Sequence, residues 1–345
     1  MLHFTKPPFN HLRLYFHQIR AKSIRPYYKT RLENDDIVDG YTRKRKENQE
    51  DRLQLYKSKG QHLLTNPRII DSIVRSSGVG PEDTVLEIGP GTGNLTMKLL
   101  EVAKKVVAVE VDKRMVEVLG TRVSESGFSD KLTIISKDAL KADFPEFDLV
   151  VANIPYCISS PLVAKFVFGG YKFRSATLLV QKEFATRLLA NPGDSEFNRL
   201  AVNVKLVADV EHVMNVSKRD FVPVPKVDSS VVIIRLKSEV PDVDLNEWWA
   251  FTKTCFGKKN KTLGATFRQK KKVAELLNLS KVTSGGNLFK EKLVGILRDA
   301  GLEDKRPSKL SNEELMYLLA LFNKAGIFFQ DKEKPRDINA SFADL

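Results

Sequence analysis

Residues 87–93 read Glu-Ile-Gly-Pro-Gly-Thr-Gly, and 60 residues beyond Gly93 the chain reads Asn153-Ile154-Pro155-Tyr156. The two segments suit the two halves of one group transfer. Gly89, Gly91 and Gly93 let a turn pass close against a nucleotide-like ligand, where a side chain would block the approach or the turn itself. In the tetrapeptide, the Asn153 side-chain oxygen and the Ile154 carbonyl can each accept one N–H of an aromatic amine. That pulls the amine toward tetrahedral geometry and frees a lone pair otherwise delocalised into the ring. Pro155 fixes the turn, and Tyr156 offers a face on which a base can stack. In a third segment, Phe221-Val-Pro-Val-Pro-Lys-Val-Asp-Ser229, two prolines stiffen a loop. Phe221 is expected to sandwich an extruded base opposite Tyr156, the alternative being an ordinary core Phe. Such chemistry is positioning and preorganised hydrogen bonding; it needs no covalent intermediate and no general base, since the amine proton can leave to water.

These residues need a frame that brings them to one edge. The glycine loop follows an apolar run, Thr84–Ile88, and opens a helical pattern from Asn94 to Lys104, a strand, turn and helix. Glu110 ends the next apolar run, 21 residues after Gly89, where an acid can accept from both hydroxyls of a ribose. Asp138, with Ala139 beside it, follows the third run and places an acceptor for an adenine amino group. For each acid, a solvated strand end is the plainer alternative. The GxGxG spacing argues against NAD as the ligand, because dinucleotide enzymes use GxGxxG.

Short β-branched runs at 106–111, 132–136, 147–152 and 176–181 alternate with helical segments, predicting an α/β domain with a mainly parallel sheet and helices on both faces. Runs at 207–216 and 229–236 suit an antiparallel edge pair. Asn66 and Pro67 can start a helix that Gly78 ends. Past Pro241 the periodicity is helical. The division expected is a basic leader over 1–55, a Rossmann-like domain over 56–240, a small all-helical domain over 241–330 and a polar tail over 331–345.

Composition narrows the partners. Fifty-six Lys and Arg against 43 acids give a net charge of +13, which favours a polyanion. Residues 248–274 carry eight basic residues and no acid, Lys258, Lys259, Lys261 and Arg268 among them, interleaved with Trp248, Trp249, Phe251, Phe256 and Phe267. The basic residues are expected to meet RNA phosphates, with a solvated helix face as the alternative, and the aromatics to pack a domain junction. Two cysteines and scattered histidines give no disulfide framework and no metal site. No apolar stretch approaches the roughly 20 residues of a membrane span. Residues 1–32 hold seven basic residues and no acid, with Leu12, Tyr15, Phe16 and Ile19 at helical spacing, the pattern of a mitochondrial transit peptide. A disordered RNA-binding arm is the alternative, and Thr42-Arg-Lys-Arg-Lys46 equally suits a nuclear address.

In these motifs the chain resembles the rRNA adenine dimethyltransferases, which methylate two adjacent adenines in a hairpin loop near the 3′ end of small-subunit rRNA. The resemblance spans about residues 57–328, through Gly60-Gln61-His62-Leu63-Leu64, Glu87–Gly93, Glu110, Asp138, Asn153–Tyr156 and Phe221–Ser229, in family order. It implies a class I methyltransferase fold with S-adenosyl-L-methionine as donor. By position, the implied cofactor contacts are His62, Leu64, Gly89, Glu110, Asp138 and Asn153, flanked by Gln61, Gly91, Gly93 and Ala139. His62 and Lys258-Lys-Asn-Lys-Thr-Leu263 look like the eukaryotic and archaeal branch. The acid-free leader departs from that branch's nucleolar members and points to an organellar form, with a monomer acting on the small-subunit rRNA of a maturing ribosome. A nucleolar enzyme for cytosolic rRNA, a non-catalytic assembly or mitochondrial transcription factor, and a DNA adenine methyltransferase stay as alternatives. The last is disfavoured because no duplex-reading domain is appended.

Overall fold

The computed structural model describes residue 55, residues 61–280 and residues 285–330. The expected transit peptide, the basic run at 42–46, Lys57, Lys59, Gly60 and the polar tail lie outside the described residues.

Five parallel strands form the heart of the molecule: β2 (Thr84–Ile88), β3 (Lys105–Val109), β4 (Leu132–Ile135), β5 (Leu149–Asn153) and β6 (Ser175–Gln181). Two further strands complete the sheet: β9 (Ser229–Leu236) runs antiparallel to β6, and β7 (Ala208–Val216) runs antiparallel to β9, so the sheet order is β4-β3-β2-β5-β6-β9-β7. A separate two-stranded ribbon pairs β1 (Leu63–Leu64) with β8 (Phe221–Val222). Only half of the expected edge pair is an edge, because β9 inserts between β6 and β7. The residues explain the insertion: Ser229–Ile234 are buried on both faces, as an interior strand must be, whereas β7 carries exposed Asp209, Glu211 and His212.

Strand residues alternate between two cores. Val85, Val106, Ala108, Val151 and Leu179 pack with α1 (Pro67–Ser77), α2 (Asn94–Val102) and α3 (Lys113–Glu125). Leu86, Val107, Val150, Ala152 and Leu178 pack with α4 (Ser159–Phe168), α5 (Lys182–Leu189) and α6 (Arg199–Val207). The second core continues without a break into α7 (Leu245–Phe256), α8 (Leu263–Phe267), α9 (Lys270–Leu279), α10 (Gly286–Asp299) and α11 (Asn312–Lys324). Trp248, Phe251 and Phe267 are fully buried in it and Trp249 and Phe256 pack against it, so the aromatics of 248–267 are core side chains, as their helical spacing implied.

Helix boundaries follow local chemistry. Asn66 caps α1 by accepting from Arg68 N, Pro67 stands at the first position, and Gly78 ends the helix at φ 66°. Asp112 caps α3 by accepting from Arg114 N. From β2 the chain steps outward to β3 and β4, then returns to place β5 on the other side of β2. A crevice therefore opens at the carboxyl ends of β2 and β5, the switch point where open α/β sheets bind ligands.

Candidate active site

The crevice is a cavity of about 370 Å³, within the usual range of roughly 300–1,000 Å³ for small-molecule sites. Glu87, Ile88 and the glycine loop reach it from β2, Glu110 from the end of β3, Asp138 and Ala139 from beyond β4, and Asn153–Tyr156 from β5. Gln61, His62 and Leu64 close it from the ribbon side. The donor and acceptor positions expected from sequence, from Gln61 to Tyr156, thus line one space, with Gly93 standing behind it as the N-cap of α2.

The glycines suit the loop by dihedral, and at Gly91 and Gly93 a side chain would also press on a neighbouring leucine. Gly89, Gly91 and Gly93 have φ of 67°, 57° and 88°, the left-handed region that side chains disfavour. A Cβ on Gly91 would lie 2.7 Å from Leu63 Cδ2, and one on Gly93 2.6 Å from Leu119 Cδ1. A Cβ on Gly89 would meet Pro155 Cδ at 3.4 Å, so the glycine loop and the Asn153–Tyr156 turn are direct neighbours. Arg122 of α3 pins the loop from behind, donating to Thr92 O at 2.9 Å and to Asn94 Oδ1 at 2.8 Å.

Glu110 is buried and anchored by backbone N–H groups. Val111 and Asp112 N–H donate to Oε1 at 2.9 Å each, and Gly91 N–H donates to Oε2 at 3.3 Å. Burial raises its pKa against the pull of these donors. Glu87 is fully buried beside Thr96 and Glu110, and burial pushes its carboxyl up to about 8. Asp112 accepts from Gln61 Nε2 at 2.8 Å and pairs with Arg114, whose guanidinium holds it well below the usual carboxylate range. Asp138 Oδ1 accepts the N–H of Leu140 at 2.9 Å, which aims the carboxylate from the loop after β4.

On the acceptor side, Asn153 Nδ2 donates to the His62 carbonyl at 3.1 Å, so the amide nitrogen is committed and Oδ1 is the acceptor on offer. Ile154 buries its side chain and gives its N–H to Leu179 O at 3.1 Å, which holds the backbone that carries its carbonyl. Pro155 leads into a 3-10 turn over Tyr156–Ile158. The Tyr156 hydroxyl bonds Ser229 Oγ at 2.7 Å, and its ring stacks with His62 at 6.1 Å between centroids.

Three expectations need correction. Phe221 is 1% exposed and lies in the core with Leu64, Ile70 and Val231, so it presents no face opposite Tyr156. Its segment braces the site instead: β8 pairs with β1, Pro223 O meets His62 Nδ1 at 2.7 Å, and Ser229 holds Tyr156. Lys259 is committed to packing, donating to Ser195 O at 2.7 Å and to Phe197 O. Arg268 is paired with Glu303, which also takes Arg298. Lys258 and Lys261 remain exposed between α7 and α8.

Sequence reading missed Asp112, Glu87 and Arg122. Asp112 carried a legible signal, an Asp directly before a helical pattern. Glu87 stands in the glycine-loop motif but has no role of its own in that reading, and nothing local marks Arg122.

A site with these parts fits S-adenosyl-L-methionine. At Gly91 the backbone comes close to Leu63 with no side chain of its own, the Glu110 carboxylate suits hydroxyl donors, and Glu110, Asp112 and Asp138 are the carboxylates on offer to a cationic ligand. Fold and site together define a class I S-adenosyl-L-methionine-dependent methyltransferase. Residues 52–297 match the family described as ribosomal RNA adenine dimethylase, and the chain belongs to that family. It is 62% identical over 337 residues to the Arabidopsis thaliana "Ribosomal RNA small subunit methyltransferase, mitochondrial", covering 88% of this chain and 89% of the relative. A second Arabidopsis thaliana protein, "Ribosomal RNA small subunit methyltransferase", is 43% identical over 327 residues, covering 80% and 93%. The crystal structure of a dimethyladenosine transferase from Plasmodium falciparum superposes with a TM-score of 0.72 at 40% identity, covering 78% of this chain and all of that one.

Proposed function

We infer that the protein dimethylates the N6 amines of adenines in small-subunit rRNA, two adjacent adenines in the 3′-terminal hairpin loop, and that it does so in the mitochondrion. The observation that carries this reading is the closeness of Pro155 to Gly89, where an added Cβ would stand 3.4 Å from Pro155 Cδ, so that the turn that would hold the amine lies beside the donor loop in one cavity. S-adenosyl-L-methionine, when bound, supplies an electrophilic methyl that needs no activation by the protein. Glu110 accepts from ribose hydroxyls and Asp138 from the adenine amino group, with the ionised Asp112 lining the same cavity. Asn153 Oδ1 and the Ile154 carbonyl hold the two N–H bonds of the target amine. Tyr156, tied by Ser229, stacks the base, with the His62 ring beside it. Alignment of this kind lowers a barrier by about 7–11 kcal/mol when reacting atoms are well placed. Lys258 and Lys261 are proposed phosphate contacts, residues 241–330 a helical RNA-binding portion, and the working form a metal-free monomer. Among the described residues no group of three or more His, Cys, Asp or Glu could hold a metal ion.

The mitochondrial assignment rests on the acid-free basic leader and on the higher identity to the relative named as mitochondrial than to the second one from the same plant. The complete Asn153–Tyr156 turn favours an enzyme over a non-catalytic assembly factor on the same fold. Mass spectrometry of small-subunit rRNA from cells lacking the gene tests the reading. Dimethyladenosine is expected to vanish from the mitochondrial rRNA and persist in the cytosolic rRNA; the reverse pattern would move the target to the cytosolic ribosome.

A further inference from the structure

Lys165, on α4, stands at a place that none of the motifs accounts for. Its ammonium group has three N–H donors and uses them on three carbonyls of one loop: Ala139 O at 2.9 Å, Leu140 O at 3.3 Å and Ala142 O. The nitrogen also lies 4.3 Å from the centre of the Phe144 ring, a cation–π contact at half-buried depth. Three carbonyl dipoles that converge on one point repel one another, and an ammonium at their focus both relieves that repulsion and supplies one N–H to each.

The loop is the one that carries Asp138 and Ala139 into the donor cavity. Asp138 is itself built into the turn: its side chain accepts from Leu140 N, and its carbonyl accepts from Lys141 N and Ala142 N. Helix α4 begins at Ser159, directly after the Tyr156–Ile158 turn. One lysine therefore fastens the far wall of the donor cavity to the helix that carries the acceptor turn.

We propose that Lys165 is a positioning residue that holds Asp138 in register for the adenine amino group of the methyl donor and couples that wall to the acceptor turn. The proposal rests on the reading of Asp138 given above. Partial burial pulls the Lys165 ammonium below the usual lysine range, and Asp143 and Asp138 work against that shift by favouring the charged form. A neutral replacement removes the cation and leaves three acceptors without a donor, and the loop relaxes outward. Arginine keeps the charge but cannot aim three N–H groups at one point, so it restores the geometry only in part.

The test is calorimetric and needs no turnover. S-adenosylhomocysteine and an analogue whose purine lacks the 6-amino group are titrated into the wild-type full chain, Lys165→Met, Lys165→Arg and Asp138→Asn, with thermal melts run alongside. The wild type is expected to prefer the amino-bearing ligand by about 10-fold or more, the scale of a hydrogen bond to a charged acceptor. Lys165→Met should lose most of that preference while its affinity for the deaminated analogue changes less than about 3-fold, and Lys165→Arg should fall between. A preference kept in Lys165→Met but lost in Asp138→Asn overturns the role of Lys165 and leaves the reading of Asp138 standing. A preference kept in Asp138→Asn overturns that reading, and the proposal with it. Should Lys165→Met fail to fold, Lys165→Arg decides: a wild-type preference there overturns the proposal and a reduced one supports it.

Discussion

Glu110 does two jobs, and substitution separates them. Its carboxylate is proposed to take the ribose hydroxyls, and it also accepts three backbone N–H groups, from Val111, Asp112 and Gly91. Glu110→Ala strips both functions. A buried donor left without a partner costs about 1–3 kcal/mol, but this cavity admits water, which limits the stability loss to about 1–3 kcal/mol for all three together. Loss of a charged acceptor for the ribose weakens cofactor binding by about 1.5–3 kcal/mol, roughly 10- to 150-fold. Glu110→Gln isolates the second effect: one oxygen still serves Val111 and Asp112, while the amide nitrogen now faces the Gly91 N–H and the charge is gone. The glutamine variant should therefore melt closer to wild type than the alanine variant yet bind S-adenosylhomocysteine at least about 10-fold more weakly. Calorimetry and urea denaturation read the two quantities separately. Wild-type cofactor affinity in Glu110→Gln would refute the reasoning.

Gly91→Ala places a Cβ 2.7 Å from Leu63 at a φ of 57°, so urea denaturation should register a loss of about 1–2 kcal/mol and calorimetry a weaker cofactor complex. Glu87 supplies a pH dependence with a defined sign. Its folded pKa of about 8 stands above the usual 4.5, so between those values the folded protein keeps a proton that the unfolded chain releases, and stability falls as pH rises. Glu87→Gln should flatten the difference between urea midpoints at pH 5.5 and 8.5, a gap on the order of a few kcal/mol in the wild type. An unchanged gap would mean that the carboxyl is solvated. Charge reversal of Lys258 and Lys261 should lower the slope of log RNA affinity against log salt by about 0.7–0.9 for each phosphate that is no longer neutralised. Lys259→Glu should instead lower the melting temperature, because that ammonium holds the 195–197 backbone.

The donor half of the site was legible because its requirements are local. A glycine loop between strand and helix, an acid after the second strand and another after the third are set by the period of the chain, and the structure places Gly91, Glu110 and Asp138 on one cavity. The place of the Asn153–Tyr156 turn on that cavity was legible for the same reason. Phe221 was not: whether a Phe faces a cavity or a core depends on its strand partner, and its pairing with Leu64 joins positions 157 residues apart. The basic run failed in a related way. Composition marks a segment as cationic, but the partners of Lys259 and Arg268 come from residues 195–197 and 303, which no window around 260 contains. The strand order was half readable: the unbroken apolar run 231–234 marks an interior strand, yet its proximity in sequence to β7 suggested an edge.

The central claim is that the Asn153 oxygen grips the target amine beside the donor loop. Single-turnover methylation of a small-subunit rRNA fragment by Asn153→Ala, with dimethyladenosine quantified by mass spectrometry and cofactor affinity by calorimetry, tests it most directly. Because Asn153 also donates to the His62 carbonyl, cofactor affinity should fall by less than about 10-fold, whereas the methyl-transfer rate should fall at least about 100-fold, the scale for one preorganised hydrogen bond at a reacting centre. Near-wild-type transfer in that variant would contradict the account.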